Sequence, residues 1–575
     1  MQLDVNQVVT NRFPAFKERS PRLSQLTVFS LKKLIRESEI NEFLKTHNHE
    51  SGMEFVEAVL DYFNLSYRVS DRSRANIPAT GRVVIVANHP LGALDGLALL
   101  KMVSDVRRDV KIIANNLLCH IENLQSVLLP VNNMSGRSAK AEIKGIYDAL
   151  QREEAVIIFP AGEVSRTKFG FVRDCEWQPS FLNFARKTAS PVLPIYVRAK
   201  NSALFYSVSK INKPLSTVLL PREMFKKRST ELPMHIGELI PIEQLDLLPL
   251  ANKQKAQLVR KHLYRLGKKK KAPLIKSEKA IEHPQPRQEL KKELKRAQLL
   301  GRTSDNQQIL LTDYQPDSAL MREIGRLREL TFRAVGEGTG RRRDIDKFDL
   351  RYKHLILWDE ENLEIAGAYR IGESWRDQGS KDQIYSATLF NYTDQMSPYL
   401  KQGIELGRSF VQPKYWGKRS LDYLWYGIGA YLKHHPEVRY MFGPVSLSQA
   451  IPHTGKAMLV WYYSHYFGSV ENLGTSNAPF KLTDDEQVLI DQLFVKDDPK
   501  GDFEQLKSQM KHMGSAIPTL YKQYSEVSEE GGTQFIDFGV DADFGYCVDG
   551  LVLVDIEKLK AKKRARYMGS DEAKG

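Results

Sequence analysis

The chain has 575 residues, and because single hydrophobic cores stop growing near about 250 to 300 residues, this length predicts two or more domains. Its 42% hydrophobic and 27% charged residues are ordinary for a globular protein and exclude a disordered chain, while three widely separated cysteines exclude a disulfide framework and a cysteine metal cluster. The net charge of +14 predicts an acidic partner: nucleic acid, an anionic membrane surface or an acidic carrier protein.

Residues 1–80 are predicted to be helical and amphipathic, with apolar stripes such as Leu23, Leu26, Leu31 and Leu34. Such stripes usually face a core, and contact with a membrane surface is the alternative interpretation. The N-terminus lacks a charged-then-apolar signal pattern, and the chain has no run of about 18 apolar residues. We therefore expect a peripheral protein on the cytoplasmic side of the inner membrane, without a signal peptide or transmembrane helix.

Residues 81–250 alternate short apolar runs with helical stretches, which predicts a first α/β domain. The expected strands are Val83–Ala87, Lys111–Ala114, Ala155–Phe159 and Val192–Val197, and the expected helices are Gly96–Val103, Ala139–Arg152 and Ser180–Lys187.

Residues 251–304 are charged and interrupted by prolines, which predicts a linker with at most one solvated helix. A plain tether is the simpler interpretation of Lys268–Lys271 and the charged segments after it. The alternative is that these lysines rest on anionic lipid headgroups, where each contributes about 1 kcal/mol.

Residues 305–557 show a second and different α/β pattern, since no internal repeat relates it to the first. The segment 484–523 is expected to be mostly helical, and the tail 558–575 is basic and expected to be exposed. The expected strands are Ile309–Thr312, His354–Trp358, Ile365–Ile371, Ser386–Phe390, Ile404–Val411 and Tyr440–Gly443, and the expected helices are Ala319–Ala334 and Arg419–His434.

A histidine and an aspartate follow the first strand. His89 lies at the end of Val83–Ala87, and Asp95 lies six positions later, near the start of the next helix. A carboxylate at this spacing can orient an imidazole that takes a proton from an alcohol. The alternative is a loop histidine beside an aspartate that caps a helix.

Two further segments surround this pair. Phe159–Arg166 follows a strand directly and places a tight turn, a carboxylate and an arginine at the sheet edge where open α/β sheets bind ligands. Arg166 could grip a phosphate or carboxylate through two hydrogen bonds. Leu129–Arg137 adds a polar loop that ends in a second arginine.

Together, Asn88-His89 through Asp95, Phe159 to Arg166, and Pro191 to Ile195 resemble three blocks of the glycerolipid acyltransferase family of the lysophosphatidate type. The resemblance implies that His89 deprotonates an acceptor hydroxyl, that Asp95 orients it, and that the hydroxyl attacks an acyl thioester. The residues it implies for binding the polar head of the acceptor are Gly162, Glu163, Arg166 and, from another block, Arg137.

The chain departs from this family in two places. Five residues, not the usual four, separate His89 from Asp95, as in a branch of the family with proline and glycine in this loop. Ala161 stands where the family usually has glutamate, and the glutamate here is Glu163. The departures leave the reaction type unchanged but leave the acceptor open.

In the second domain, Gly417-Lys418-Arg419 precedes a predicted helix. Backbone N–H groups and the helix dipole make such a loop an anion site, so these three residues are candidates for binding the acyl donor. N-acyltransferases of the GNAT type place two glycines in this loop for the pyrophosphate of coenzyme A. The second glycine is missing here, which favours an acyl carrier protein, with its single phosphate and acidic surface, over acyl-CoA as the donor.

Five blocks of the second domain resemble the ornithine N-acyltransferase family, which is similar to the GNAT-fold acyl-homoserine-lactone synthases. They are Phe332–Gly338 with Asp344–His354, Ala366–Arg370, Glu405–Ser409, Phe442–Ser446 and Phe535–Phe544. By this resemblance Glu405 is a candidate base or amine-orienting group. Arg370 and Arg408 are candidates for contacting a carboxylate or the donor, and Asp346 and Asp349 for holding a cationic amino acid. The alternative is that these charges form structural ion pairs.

The whole chain resembles the bifunctional ornithine lipid synthase family. That resemblance implies N-acylation of ornithine with a 3-hydroxyacyl chain, followed by O-acylation of the new hydroxyl with His89 as base. It implies acyl-ACP or acyl-CoA as co-substrate and no bound cofactor, and the sequence shows no metal-ligand spacing.

Two alternatives stay open. One is a lysophospholipid acyltransferase with an accessory or inactive GNAT-like domain. The other is a basic scaffold on membranes or nucleic acid, and we expect no nucleic acid because the basic stretch of residues 251–300 lacks interleaved aromatic residues.

Overall fold

The computed structural model describes residues 21–114, 121–131, 137–168, 171–211, 216, 219–268 and 272–569. The chain divides into two compact units, with the boundary between Glu282 and His283. In the part of the chain so described, no helix is both long enough and apolar enough to cross a bilayer.

The first unit is built on a seven-stranded sheet with the order β1-β9-β8-β2-β5-β3-β4. Neighbouring strands are parallel except β8 and β9. A separate hairpin is formed by β6 and β7. The strands are β1 Ser66–Arg68, β2 Val83–Ala87, β3 Val110–Ala114, β4 Leu128–Pro130, β5 Ala155–Ile158, β6 Arg166–Lys168, β7 Phe171–Arg173, β8 Val192–Val197 and β9 Glu231–Ile236.

The middle strand β2 consists of apolar residues that are all buried, because helices cover both faces of this sheet. Val83 and Ile85 pack on one face and Val84 and Val86 on the other, as the alternation of side chains along a strand requires. The helices are α1 Pro21–Ile35, α2 Glu37–Thr46, α3 Met53–Tyr62, α4 Asp71–Arg74, α5 Ala93–Ser104, α6 Arg137–Gln151, α7 Ser180–Lys187, α8 Ala203–Ile211, α9 Leu220–Phe225, α10 Ile242–Asp246 and α11 Asn252–Leu266.

The predicted linker 251–304 is wrong. Helix α11 buries Ala256, Val259 and Leu263 in the core of the first unit. These three apolar residues form a narrow stripe on one face of the helix. The residues around them are mostly basic or carry amides, so the composition of the segment is like that of a charged linker. Within the predicted basic cluster, Lys269–Lys271 lie outside the described residues.

The rest of that segment belongs to the second unit. Helix α12 (Arg287–Leu294) buries Leu290 and Leu294 in a cluster that includes residues of α13 (Ala319–Ala334). Strand β10 (Gln298–Arg302) then pairs with β11 (Gln308–Thr312) at the edge of the second sheet.

The second unit has an eight-stranded sheet with the order β10-β11-β12-β13-β15-β16-β19-β18 and a two-stranded sheet of β14 and β17. All neighbours in the large sheet are antiparallel except β15 and β16. The remaining strands are β12 Lys353–Asp359, β13 Glu364–Gly372, β14 Phe390–Tyr392, β15 Gly403–Val411, β16 Tyr440–Leu447, β17 Gly474–Ser476, β18 Thr533–Asp541 and β19 Cys547–Asp555, and the remaining helices are α14 Ser397–Lys401, α15 Ser420–His434, α16 His453–Phe467, α17 Asp484–Leu493, α18 Pro499–His512, α19 Thr519–Val527 and α20 Ala561–Met568.

The predicted strand Ser386–Phe390 is wrong. Residues Ser386–Thr388 form a 3-10 turn, and only Phe390 enters a strand, β14. The Ser386 backbone N–H donates to Glu405 Oε1 at 2.7 Å, and the Ser386 hydroxyl bonds to the Tyr392 hydroxyl at 2.6 Å. These bonds to neighbouring side chains hold the segment in a turn.

Strands β15 and β16 pair over three residues each and then diverge. The last pair is Glu405 with Phe442, although β15 continues to Val411 and β16 to Leu447. Gly443 follows this pair, and a Cβ there would lie 2.1 Å from the carbonyl oxygen of Leu406, so only glycine fits this close approach.

Strand β15 contains a bulge. Arg408 and Ser409 stand opposite the single residue Tyr369 of β13, and Arg408 has a φ of 48°. In a regular strand, residues three apart point to opposite faces. The extra residue places Arg408 on the same face as Glu405.

The basic tail is partly docked. Helix α20 buries none of its residues, as expected for an exposed basic segment. Even so, Arg566 donates to Asp422 Oδ2 at 2.6 Å and the Tyr567 hydroxyl donates to Asp422 Oδ1 at 3.1 Å, which fixes α20 against α15. Residues 570–575 lie outside the described part.

Candidate active sites

His89 and Asp95 meet in the first unit. The imidazole Nδ1 lies 2.8 Å from Asp95 Oδ1, and the Asp95 side chain is fully buried. The other oxygen of Asp95 accepts a hydrogen bond from the Leu91 backbone N–H at 2.7 Å. A carboxylate on Nδ1 favours the tautomer that leaves Nε2 free to accept a proton from a substrate hydroxyl.

The turn that carries His89 is anchored at both ends. The Asn88 side chain accepts from the Val197 backbone N–H at 2.8 Å and donates to the Val197 carbonyl at 2.9 Å, which ties the end of β2 to β8. The Asn201 amide donates to the Pro90 carbonyl at 3.0 Å. Gly92, with a φ of 96°, makes the turn into α5, which presents Asp95 in its first turn.

Asp174 is a buried neighbour of His89 that sequence reasoning missed. Its Oδ1 accepts from the His89 backbone N–H at 3.2 Å and from the Ser165 hydroxyl at 2.5 Å, while Oδ2 accepts from Trp177 Nε1 at 2.9 Å. The Ser165 N–H in turn donates to the His89 carbonyl at 2.7 Å. Asp174 lies beyond the β6–β7 hairpin, 85 residues after His89, so no local motif marks it.

The surroundings raise the pKa of His89. Burial alone would lower it, but the charge and hydrogen bond of Asp95, with the more distant charge of Asp174, outweigh that cost. The imidazole stacks on the Phe159 ring with 3.9 Å between centroids. The site therefore stabilises the imidazolium that forms when His89 accepts a proton.

The predicted head-group residues adjoin this dyad, but Arg166 is already engaged. Its Nε lies 3.0 Å from Glu163 Oε2, and its Nη1 donates to Ser216 at 2.7 Å and to Ser209. Gly162 has a φ of 66° and open space where a Cβ would stand. Arg137 begins α6, and its side chain lies outside the described residues.

The second unit brings together the four charged residues predicted to bind substrate. Arg370 Nη1 lies 2.7 Å from Asp346 Oδ1 and 3.4 Å from Asp349 Oδ1. Arg408 Nη2 lies 3.8 Å from Asp346 Oδ2, and its Nε lies 3.0 Å from Asp344 Oδ2. The arginines come from adjacent strands and the aspartates from the loop after α13.

Much of this network is structural. Arg328 of α13, which sequence reasoning missed, donates to Asp349 Oδ1 at 2.7 Å, and both side chains are fully buried. Burial alone would raise the pKa of Asp349, but Arg328 and Arg370 hold it well below its usual range. Burial and Arg328 lower the pKa of His354 to about 4, so this histidine is neutral.

Glu405 lies on the same face of the sheet and accepts three hydrogen bonds. Its Oε2 accepts from the Tyr352 hydroxyl and from the Tyr385 backbone N–H at 2.9 Å, and its Oε1 accepts from the Ser386 N–H at 2.7 Å. Tyr385 joins it to the charged network, because the Tyr385 hydroxyl accepts from Arg408 Nη1 at 3.1 Å.

Two further buried carboxylates flank Arg408. Burial, with the charges of Asp541 and Glu337, raises the pKa of Asp549 to about 8. Burial raises the pKa of Glu337 to about 7 despite a hydrogen bond from Ser446 and the charge of Arg408. Asp541 and Asp549 lie on the paired strands β18 and β19, whereas Glu337 follows α13 about 200 residues earlier, so no local motif marks its approach to them.

Asp549 makes the stability of the second unit depend on pH. A carboxyl with a folded pKa raised from 3.8 to about 8 stabilises the fold at low pH and loses that contribution as the pH rises towards 8. We expect Asp549→Asn to be only slightly more stable than the wild type at pH 5 and to unfold at clearly higher denaturant concentration at pH 9, because the difference grows by about 1.4 kcal/mol per unit of pH up to the folded pKa of about 8. Urea unfolding at both pH values, with the exposed Asp313→Asn as control, measures this. Equal differences at the two pH values would contradict it.

The predicted donor residues lie elsewhere on the second unit. Gly417, with a φ of 74°, and Lys418 precede α15, and Arg419 is its N-terminal flanking residue. Val411, which ends β15, lies six positions after Glu405, which is about 20 Å of strand at roughly 3.3 Å per residue. Within the described ranges, no three His, Cys, Asp or Glu residues group as a metal site.

The folds and both sites define an acyltransferase. A family profile described as "Acyltransferase" matches residues 8–272, and one described as "Acetyltransferase (GNAT) domain" matches residues 327–426. The chain therefore belongs to the acyltransferases and joins an N-terminal acyltransferase domain to a C-terminal GNAT-like domain, which confirms the predicted fold class.

Curated relatives match parts of the chain. A glycine N(alpha)-acyltransferase of Phocaeicola vulgatus is 32% identical over 49% of this chain and 90% of its own length. A lyso-glycine lipid O-acyltransferase of Bacteroides thetaiotaomicron is 30% identical over 42% of this chain and 90% of its own length. An L-ornithine N(alpha)-acyltransferase of Brucella abortus is 34% identical over 22% of this chain and 49% of its own length.

Proposed function

We propose that this chain makes an aminolipid in two steps, as a bifunctional acyltransferase. The second unit N-acylates an amino acid, ornithine in our first choice, with a 3-hydroxyacyl chain. The first unit then esterifies the 3-hydroxyl of that product. The observation that carries the proposal is the His89–Asp95 pair, a base for a hydroxyl, in a chain whose other half is a GNAT-like unit.

Both steps transfer an acyl group from a thioester, first to an amine and then to a hydroxyl. In the first, the amine nitrogen attacks the thioester carbonyl and the C–S bond breaks, and the proton that the nitrogen loses ends on the departing thiolate. In the second, His89 Nε2 takes the hydroxyl proton while the oxygen attacks another thioester, and that proton can then protonate the departing thiolate. The raised pKa of His89 suits it to hold the proton between these events.

Glycine is a second candidate acceptor. The glycine N(alpha)-acyltransferase and the lyso-glycine lipid O-acyltransferase each align over 90% of their own length at 32% and 30% identity. The Brucella ornithine enzyme aligns over 49% of its length, and an L-ornithine N(alpha)-acyltransferase of Rhodobacter capsulatus aligns over 95% of its length at 27% identity. Ornithine is favoured by the anionic groups around the site in the second unit, described below.

The donor and the location are also proposals. An acyl carrier protein as donor suits a chain of net charge +14 and a donor loop with Lys418 and Arg419. A peripheral position on an anionic membrane is supported by Phe29, Phe171 and Ile211, which are 66%, 66% and 89% exposed. Their elements α1, β7 and α8 pack around one small apolar cluster, and Lys33, Arg36 and Arg222 line a depression there.

The test is to express the full chain in a host that makes no aminolipids and to analyse its lipids by mass spectrometry. Feeding isotope-labelled ornithine and, separately, labelled glycine identifies the acceptor. We expect a new lipid with one labelled amino acid and two acyl chains. A host that gains only altered phospholipids, with no labelled lipid, would contradict the proposal and favour a lysophospholipid acyltransferase.

A further inference from the structure

The second unit contains a cavity of about 340 Å³ beside Glu405. Its size lies at the lower end of ligand pockets, which range over about 300 to 1,000 Å³. It opens at the end of β13 and the start of β15, on the side of the unit where β15 and β16 are still paired. The charged and hydroxyl-bearing side chains that line it include Arg351, Tyr352, Glu373, Arg376, Asp377 and Glu405.

The floor of the cavity offers one place for a cation. A carboxylate has about four acceptor positions, and Glu405 uses two on Oε2 and one on Oε1 for its three donors. One position on Oε1 is left for a further N–H group. The three fixed donors hold this carboxylate in place before a ligand arrives, which suits it to orient an amine.

The rim carries charges of both signs in two ion pairs whose arginines are exposed. Arg351 Nη2 lies 3.2 Å from Asp377 Oδ1, with the two side chains 50% and 38% exposed. Arg376 Nε lies 2.9 Å from Glu373 Oε2, and Glu373 Oε1 also accepts from the Tyr431 hydroxyl at 2.6 Å. The exposed Arg351–Asp377 pair contributes little, so a ligand can replace a partner there at small cost.

We propose that this cavity binds the amino acid that the second unit acylates, an inference that rests on the proposed function. The α-carboxylate binds the guanidinium groups of Arg351 and Arg376, and the α-amine lies against Glu405. Asp377 at the rim receives the ammonium of a cationic side chain. The site therefore selects a basic amino acid such as ornithine.

The shape and charge of the cavity support this choice over two other ligands. Glycine would leave most of the volume and the Asp377 carboxylate unused. A plain anion such as phosphate would meet Glu373, Asp377 and Glu405, whose negative charges oppose it. A zwitterion with a second amine pairs with charges of both signs.

The test uses the full-length protein and the variants Arg351→Gln, Arg376→Gln and Asp377→Asn. The first two should raise the KM for ornithine at least tenfold and leave the KM for the acyl donor within twofold. Asp377→Asn should lower kcat/KM for ornithine about tenfold and leave that for glycine unchanged. Arg322→Gln, on α13 and outside the cavity lining, is the matched control and should behave as the wild type.

Calorimetric titration of ornithine separates this inference from the proposed function. Wild-type binding that weakens at least tenfold in Arg351→Gln and Arg376→Gln supports the cavity even if no acylated product forms. Unchanged ornithine KM and binding in both variants, with the wild type active, would overturn the cavity and leave the function standing. A wild type that neither binds nor acylates any amino acid would overturn both.

Discussion

Replacing His89 with alanine should stop the second acylation and leave the first intact. General-base catalysis contributes about 10²- to 10⁴-fold, so the O-acylation rate should fall by that factor. In the expression host, the diacyl aminolipid should disappear and the monoacyl form should accumulate, measured by mass spectrometry. Because His89 lies in the first unit and the proposed amino-acid cavity lies in the second, the N-acylation rate should not change.

A control variant tests whether the effect is specific to His89. His49→Ala, which removes an exposed histidine of the same unit, should give the wild-type lipid profile. Loss of both lipid forms in His89→Ala, with the protein still folded by circular dichroism, would contradict the division of the two steps between the units.

Among the substitutions proposed for this protein, Arg328→Met should lower the free energy of unfolding the most. It leaves Asp349 buried without its closest cation, and removing one partner of a buried ion pair costs about 3 to 5 kcal/mol. Urea unfolding followed by circular dichroism should show the transition of the second unit at lower denaturant, with that of the first unit unchanged.

The same helix supplies the matched control for this variant. Arg322→Met removes an exposed arginine whose nearest carboxylate oxygen, on Asp317, is 3.8 Å away, and should cost less than about 1 kcal/mol. A cost for Arg328→Met as small as that of Arg322→Met would mean that Arg370 alone holds Asp349.

The sequence alone predicts the structure well where the residues of a site are close to one another in the chain. The buried strand Val83–Ala87 and the turn after it can be recognised from a run of apolar residues followed by proline and glycine. Because Asp95 is only six residues from His89, strand, turn and helix geometry alone brings the two together. The first-unit elements around this site therefore agree with their predicted bounds to within a few residues.

The sequence was insufficient where distant segments decide the structure. Asp174 reaches His89 across 85 residues, and Asp549 meets Glu337 across the whole second unit. Ser386 was predicted in a strand because its neighbours favour one, yet bonds to Glu405 and Tyr392 hold it in a turn. The composition of helix α11 resembles that of a linker because its three buried apolar residues stand among many charges.

In the second unit, the sequence identifies some residues of the candidate sites and misses others. Arg370, Arg408, Asp346 and Asp349 do come together, but they mostly pair with each other and with Arg328. Glu405 is brought to a cavity whose other charged residues, Arg351, Glu373, Arg376 and Asp377, have no recognisable motif. Their proximity to Glu405 can be seen only in the three-dimensional structure.

The bulge in β15 restricts how this strand can evolve. Its extra residue decides which side of the sheet every later side chain faces, so the strand tolerates a change of residue type more readily than a change of length. If the strand lost the bulge but kept the three-position spacing of Glu405 and Arg408, the two side chains would turn to opposite sides, which would separate the cavity from the charged network. Insertions and deletions should accordingly be rare in this segment among descendants in which Glu405 and Arg408 stay on one face of the sheet.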